Sequence, residues 1–101
     1  MAMKQTIVRK LIDKRYLSVV LYCRKFGYIF PSDVENTNFF SSDGKLQKIP
    51  SEAGRRCREL RDSGFMWSEL VPFRLENGVG GAKAVFRFTK RATRALSESG
   101  L

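Results

Sequence analysis

The chain has 101 residues, a length that supports one hydrophobic core but not two independent ones. Apolar residues make up 43% of it, which is typical of a folded domain and not of a disordered basic tail. Histidine is absent, and the two cysteines, Cys23 and Cys57, lie far apart in the sequence. This inventory excludes histidine-based catalysis and a zinc site of cysteine and histidine ligands. We therefore expect no enzyme activity, no metal and no cofactor.

The charge is strongly unbalanced, with 19 Lys and Arg against 10 Asp and Glu and a net charge of +9. Such a charge repels itself in a compact chain, and a polyanionic partner relieves the repulsion. Nucleic acid is the commonest such partner. The longest apolar run, residues 17–23, is too short to span a bilayer, and charged residues 13–15 interrupt any signal-peptide core. We expect a cytoplasmic protein without a membrane partner or a small-molecule ligand.

Residues 6–26 contain no Gly or Pro, and their apolar side chains recur at helical spacing. The charged residues 13–15 predict a break, with an N-terminal arm or short helix over 1–12. A main helix is then predicted over Leu17–Phe26, because Gly27 is a favourable C-terminal stop.

The next segment predicts a short second helix. Ser32 is a suitable N-cap, and Glu35 three residues later completes a capping box, so we expect a helix over Asp33–Phe40. Ile29, in the extended connection before it, is a candidate to pair with a later hairpin as a short strand.

The third helix, Ser51–Ser63, has the clearest pattern. Ser51 is the predicted N-cap, and Ser63 with Gly64 ends the helix. At 100° per residue, one narrow face is apolar and the rest of the surface is rich in arginine. The apolar face holds Ala53, Cys57 and Leu60, and the exposed and flanking positions hold Arg55, Arg56, Arg58 and Arg61.

After Gly64 the pattern changes from helical to alternating. We predict a hairpin of Phe65–Leu75 with Ala82–Thr89, joined by a glycine-rich turn, with a disturbance near Leu70 where the alternation slips. The C-terminal residues 90–101 form a helix or tail. If residues 90–101 form a helix, its apolar side is Ala92, Ala95 and Leu96. The predicted core consists of Leu21, Cys23, Ala53, Cys57, Leu60, Phe65, Phe73, Phe86 and Phe88.

Three helices followed by a hairpin resemble the winged helix-turn-helix family. The segment Ile49–Phe65 carries the resemblance, through Arg-Arg-x-x-x-Leu and a Gly-Phe exit into the hairpin, and the similarity runs from Leu17 to Thr89. The stretch before Ser51 is longer than the tight turn of typical members. The resemblance implies one α/β domain, mainly α, over residues 1–101. It implies a sequence-specific or architectural protein that binds double-stranded DNA and regulates transcription.

In that family a helix enters the major groove, where an arginine fork matches guanine or a phosphate. The resemblance therefore makes Ser51–Ser63 the recognition helix and Leu75–Lys83 the wing on the backbone. We assign Ser51, Glu52, Arg55 and Arg58 to the groove, Arg56 and Arg61 to flanking phosphates, and Arg74 and Lys83 to the wing.

Three alternatives remain open. The arginines can form a solvated face with i,i+4 ion pairs, Arg55 to Glu59 and Arg58 to Asp62. RNA or single strands can stack on exposed aromatics near Phe86–Phe88 and Trp67, although two strands are few for such a sheet. A protein partner can bind an apolar patch, for which Trp67, Tyr16 and Tyr22 are candidates. A homodimer is also expected, through residues 1–12 and 89–101, because two half-sites raise affinity and specificity.

Overall fold

The computed structural model describes the backbone of residues 2–101 and the side chains of residues 7–101. Over this range the protein is a mixed α/β fold with five helices and two antiparallel hairpins. Met1, which belongs to one predicted dimer element, lies outside the described residues. No helix within residues 2–101 has the length and apolar character needed to cross a membrane. The elements are α1 (Ala2–Leu11), α2 (Leu17–Phe26), α3 (Pro31–Val34), β1 (Asn38–Phe40), β2 (Leu46–Lys48), α4 (Ala53–Asp62), β3 (Met66–Arg74), β4 (Gly80–Phe88) and α5 (Lys90–Glu98).

The break between α1 and α2 and the bounds of α2 confirm the prediction. Asp13 causes the break, because its side chain accepts a hydrogen bond of 2.9 Å from the backbone N–H of Arg15. Gly27 ends α2 in the left-handed conformation, at φ 86°, and donates its N–H to the carbonyl of Cys23.

The predicted second helix, Asp33–Phe40, is wrong. α3 has only four residues and no side-chain cap, so Ser32 and Glu35 do not form a capping box. Asn36 turns the chain at φ 63°, and β1 then pairs antiparallel with β2. Aromatic residues favour strands, and the pairing with β2 outweighs the local helical signal. This hairpin accounts for the long stretch before Ser51.

α4 confirms the predicted third helix, with a shorter N-terminus than predicted. Ala53, Cys57 and Leu60 are fully buried, as their spacing predicted. Ser51 is not the N-cap, because its hydroxyl donates to the Glu52 carboxylate over 2.9 Å instead of accepting from the helix backbone.

β3 and β4 form the second hairpin in one uninterrupted register from Met66–Phe88 to Arg74–Gly80. The predicted disturbance near Leu70 is wrong, since Leu70 lies directly opposite Ala84. Leu70 is 72% exposed, so this part of the hairpin lies outside the core. Its sequence therefore need not alternate between apolar and polar residues. Ile29 exchanges two backbone hydrogen bonds with Phe86, of 2.9 and 2.8 Å, and thereby confirms its predicted pairing with the hairpin.

The pleat of the hairpin gives it two faces. Met66 and Phe86 lie on the face that we call the inner face, and both are buried. α4 packs against it, because the Arg61 guanidinium lies 5.9 Å from the Phe86 ring and donates to the Ser68 hydroxyl. Trp67 and its partner across the register, Arg87, lie on the opposite face, the outer face.

The core confirms most of the predicted residues. Six are buried, namely Cys23, Ala53, Cys57, Leu60, Phe65 and Phe86, as are Ala92, Ala95 and Leu96 of α5. Leu21 and Phe88 are only half-buried. Phe73 is wrong as a core residue, because it lies 39% exposed on the outer face. Its ring packs there so closely on Gly81 that a Cβ at that glycine would lie 3.0 Å from the ring.

The two buried thiols give the core a predicted pH dependence. Burial raises the pKa of both Cys23 and Cys57 to about 12, whereas an unfolded thiol titrates near 8.5. Because each thiol has a higher pKa in the folded protein than in the unfolded chain, it stabilises the fold fully at pH values below the unfolded pKa. This stabilisation is lost as the pH rises towards the folded-state pKa. We therefore predict that each thiol removes about 2 kcal/mol from the free energy of unfolding between about pH 8 and about pH 10.

Urea unfolding under reducing conditions checks this prediction. Between those two pH values, Cys57→Ala should lose about 2 kcal/mol less stability than the unaltered protein. Equal losses in the two proteins would contradict the burial of this thiol.

Candidate nucleic-acid interface

The outward side of α4 presents two exposed arginines. Arg55 and Arg58 are exposed on the side opposite the buried face. Within the described part of the chain, neither forms an ion pair, so the alternative pairs with Glu59 and Asp62 do not form. Gly54 leaves room for the Arg58 side chain, because a Cβ at Gly54 would lie 3.2 Å from Nη1 of Arg58.

Arg56 has a different environment from the one predicted for a phosphate contact. Its Nη1 lies 2.7 Å from Oε1 of Glu59, and its Nη2 lies 3.9 Å from Oε1 of Glu52. The hydrogen bond from Arg56 is the main cause that lowers the pKa of Glu59. The hydrogen bond from Ser51 is the main cause that lowers the pKa of Glu52. Three predicted contact residues, Ser51, Glu52 and Arg56, thus form one network with Glu59 along the flank of α4.

Arg61 lies between α4 and the hairpin and not on the outward side of α4. Its Nη1 donates to the Ser68 hydroxyl over 3.3 Å, and its Nε lies 3.4 Å from the Asp62 carboxylate. The side chain is still 41% exposed, so one edge of the guanidinium remains accessible from solvent.

The two predicted wing residues differ from each other. Lys83 donates to the Asp33 carboxylate over 2.6 Å and lies 4.8 Å from the Phe30 ring, so its charge is already paired. Arg74 ends β3 opposite Gly80, is exposed, and forms no ion pair with any other residue that the structure describes. Of these two predicted residues, Arg74 is therefore the more accessible cation.

The sequence analysis missed a further basic surface on α5. Lys90, Arg91 and Arg94 are exposed, whereas the opposite side of α5 is buried. Arg91 lies 5.3 Å from the Phe65 ring, close to the end of α4. The signal was present as basic residues at i, i+1 and i+4, one face of a helix.

The structure also describes the tyrosines predicted to bind a protein partner and the two predicted dimer elements. Tyr16 is only 3% exposed, which removes it from the residues available to a protein partner, and Tyr22 is half-buried among the Phe26 and Phe39 rings. α1 and α5, the predicted dimer elements, pack against each other within one chain.

Comparison of the chain with protein-family models finds no match, and comparison with curated proteins finds none either. The geometry of α4 and the hairpin is therefore what characterises this surface.

The different environments of Arg55 and Arg56 predict different effects on stability. The Arg56 side chain is 17% exposed and pairs with Glu59 and Glu52, so Arg56→Ala should lower the free energy of unfolding by about 1 kcal/mol. Arg55→Ala, one residue away on the exposed side, should leave the free energy of unfolding unchanged. Urea unfolding of the two variants checks this, and equal destabilisation would contradict the network around Arg56.

Proposed function

We propose that the protein is a winged helix-turn-helix protein that binds double-stranded DNA and regulates transcription. The observation that carries this proposal is that Arg55 and Arg58 lie on the outward side of α4 and form no ion pair with any residue that the structure describes. A helix with this shape fits the major groove of B-form DNA, and its exposed arginines then meet base edges and phosphates. The net charge of +9 supports the same partner.

The order of elements also supports the proposal. α2, the short pairing at Ile29, α3, α4 and the β3–β4 hairpin follow one another as in a winged helix. The β1–β2 hairpin is then an insertion between the second and third helices of that arrangement. Two half-sites on DNA favour a homodimer, which stays part of the proposal.

The contacts of the arginines assign them different roles on DNA. Arg55 and Arg58 reach the groove. Arg56 acts as a positioning residue, because its ion pairs hold Glu52 at the start of α4. Arg61 contacts a flanking phosphate through its exposed edge.

On the wing, Arg74 is the backbone contact in place of Lys83, because Lys83 lies on the outer face of the hairpin, whereas α4 packs on the inner face. Ser51 contributes through its hydrogen bond to Glu52, which orients that carboxylate towards the groove.

Binding to duplex DNA over a range of salt concentrations tests the proposal. Log K should fall with log salt at a slope of about −0.9 for each phosphate that is neutralised. Arg74→Ala should make the slope shallower by about one unit, whereas Lys83→Ala should leave it unchanged. Arg55→Ala should cost about 1–3 kcal/mol on a preferred site. Arg55→Lys should keep the salt slope but lose the preference, because lysine lacks the bidentate fork.

The control is Arg56→Ala, which should change the salt slope less than Arg74→Ala does. Absence of salt-sensitive duplex binding would contradict the proposal. The arginines of α4 would then form only a solvated face.

A further inference from the structure

The outer face of the hairpin carries rings and cations in alternation, a set that we call the outer strip. Arg87 lies 5.7 Å from the Trp67 ring and 5.9 Å from the Tyr28 ring. The Tyr28 and Phe30 rings meet edge to face, with centroids 5.7 Å apart. Lys83 continues the row, 4.8 Å from the Phe30 ring and 5.8 Å from the Phe73 ring. In spatial order the outer strip is therefore Trp67, Arg87, Tyr28, Phe30, Lys83 and Phe73.

The backbone pairing explains why these residues share one face. Trp67 lies opposite Arg87, and Phe73 lies opposite Gly81, at alternating positions of the same register. Ile29 pairs with Phe86 and is buried, so its two neighbours, Tyr28 and Phe30, point to the other face. The strip thus spans β3, β4 and the bridged segment around Ile29.

The rings of the strip are open to solvent. The exposed fractions are 44% for Trp67, 42% for Tyr28 and 39% for Phe73. Val85, on the same face between Lys83 and Arg87, is 1% exposed, so the surrounding side chains close over it into a continuous surface.

A groove of about 330 Å³ lies at the Trp67 end of the strip. It is lined by Arg24, Gly27 and Thr93 as well as by Trp67 and Arg87. The Arg24 guanidinium donates to the Leu101 carbonyl over 2.9 Å and to the Ser97 hydroxyl over 3.0 Å.

We propose that the outer strip binds single-stranded nucleic acid. Bases stack on the rings of Trp67, Tyr28 and Phe73, because every base has a π face and stacking tolerates any sequence. Lys83 and Arg87 lie between the rings, where the phosphates of a stacked strand pass. α4 packs on the inner face, so this site is separate from the proposed duplex-binding surface and does not depend on it.

The charges around the strip complement a phosphate chain. Arg87 lies 3.4 Å from the Glu69 carboxylate, and Lys83 lies 2.6 Å from the Asp33 carboxylate. Both carboxylates are about half exposed, and ion pairs of this kind stabilise a fold weakly. A phosphate therefore replaces each carboxylate readily, and the net charge of +9 draws the strand to the protein.

Fluorescence of Trp67 tests the proposal directly, because it is the only tryptophan of the chain. Titration with a short oligo-dT should quench this fluorescence as a thymine stacks on the indole ring. Absence of a change at Trp67 when oligo-dT binds would overturn the proposal.

Variants of the strip, with binding followed by anisotropy of a labelled oligo-dT, separate stacking from simple charge attraction. Tyr28→Ala and Phe73→Ala should each weaken binding about 5- to 150-fold, the range for loss of one stacked base. Tyr28→Phe should retain binding because it keeps the ring. The matched control is Leu70→Ala, on the inner face of the same hairpin and 72% exposed, which should leave binding unchanged.

Removal of the competing carboxylates should strengthen binding. Glu69→Gln and Asp33→Asn each free one cation of the strip, so each should bind oligo-dT more tightly. Asp62→Asn changes the net charge equally but lies on α4, and it should leave oligo-dT binding unchanged.

The same set of variants distinguishes this proposal from the proposed duplex binding. Arg55→Ala should weaken duplex binding and leave oligo-dT binding intact, whereas Tyr28→Ala should do the reverse. Loss of oligo-dT binding in Arg55→Ala alone would show that α4 takes the single strand and would overturn the role of the strip. Equal affinity of Tyr28→Ala and Leu70→Ala for oligo-dT, with a polypeptide bound at the strip instead, would also overturn it.

Discussion

The two hydrogen bonds between Ile29 and Phe86 determine how the helices and the hairpin are arranged. They fix the segment around Ile29 beside β4, and the Ile29 side chain is buried in the core. Because side chains alternate along an extended segment, the same pairing turns Tyr28 and Phe30 to the outer face. It also starts α3 beside β4, where Asp33 reaches Lys83.

This pairing divides the molecule into two surfaces of different chemistry. On one side of the hairpin lies α4, whose outward arginines have no carboxylate partners among the residues described. On the other side lies the outer strip, where each cation is held between rings and a carboxylate. Accessible charge suits a duplex backbone, and alternating rings suit unstacked bases. The proposed functions follow this division.

The arginines of α4 form two groups with different environments for a related reason. Helical periodicity directs Arg55 and Arg58 away from the core and leaves Arg56 and Arg61 on the flanks. A flanking arginine reaches neighbours on its own helix or on the hairpin, as the contacts with Glu59 and Ser68 show. The number of arginines in a sequence is therefore larger than the number whose charge is accessible to a partner.

The sequence predicted the features that local chemistry determines. α2, α4 and the β3–β4 hairpin follow from apolar spacing and from glycine stops, and these were found at nearly the predicted bounds. The β1–β2 hairpin was missed because its pairing joins residues that the capping signal of Ser32 assigns to a helix. Phe73 was misplaced because alternation alone does not show which stretch of a hairpin extends past the core.

The candidate site was predictable to a smaller extent. Arg55 and Arg58 were placed correctly on the exposed side by periodicity, whereas the partners of Arg56 and Lys83 depend on side-chain geometry and on contacts distant in sequence. The outer strip was hidden for the same reason. The pairing of Ile29 was predicted, but the contacts of the Tyr28 and Phe30 rings with Arg87 and Lys83 depend on side-chain geometry.

Mapping of backbone amide NMR shifts upon addition of duplex DNA and, separately, of oligo-dT tests the central claim of two surfaces most directly. The account predicts that duplex DNA perturbs Ala53–Asp62 and the hairpin end near Arg74. It predicts that oligo-dT perturbs Tyr28, Trp67 and Arg87. Perturbation of the same residues by both ligands would contradict the account, because one surface would then serve both.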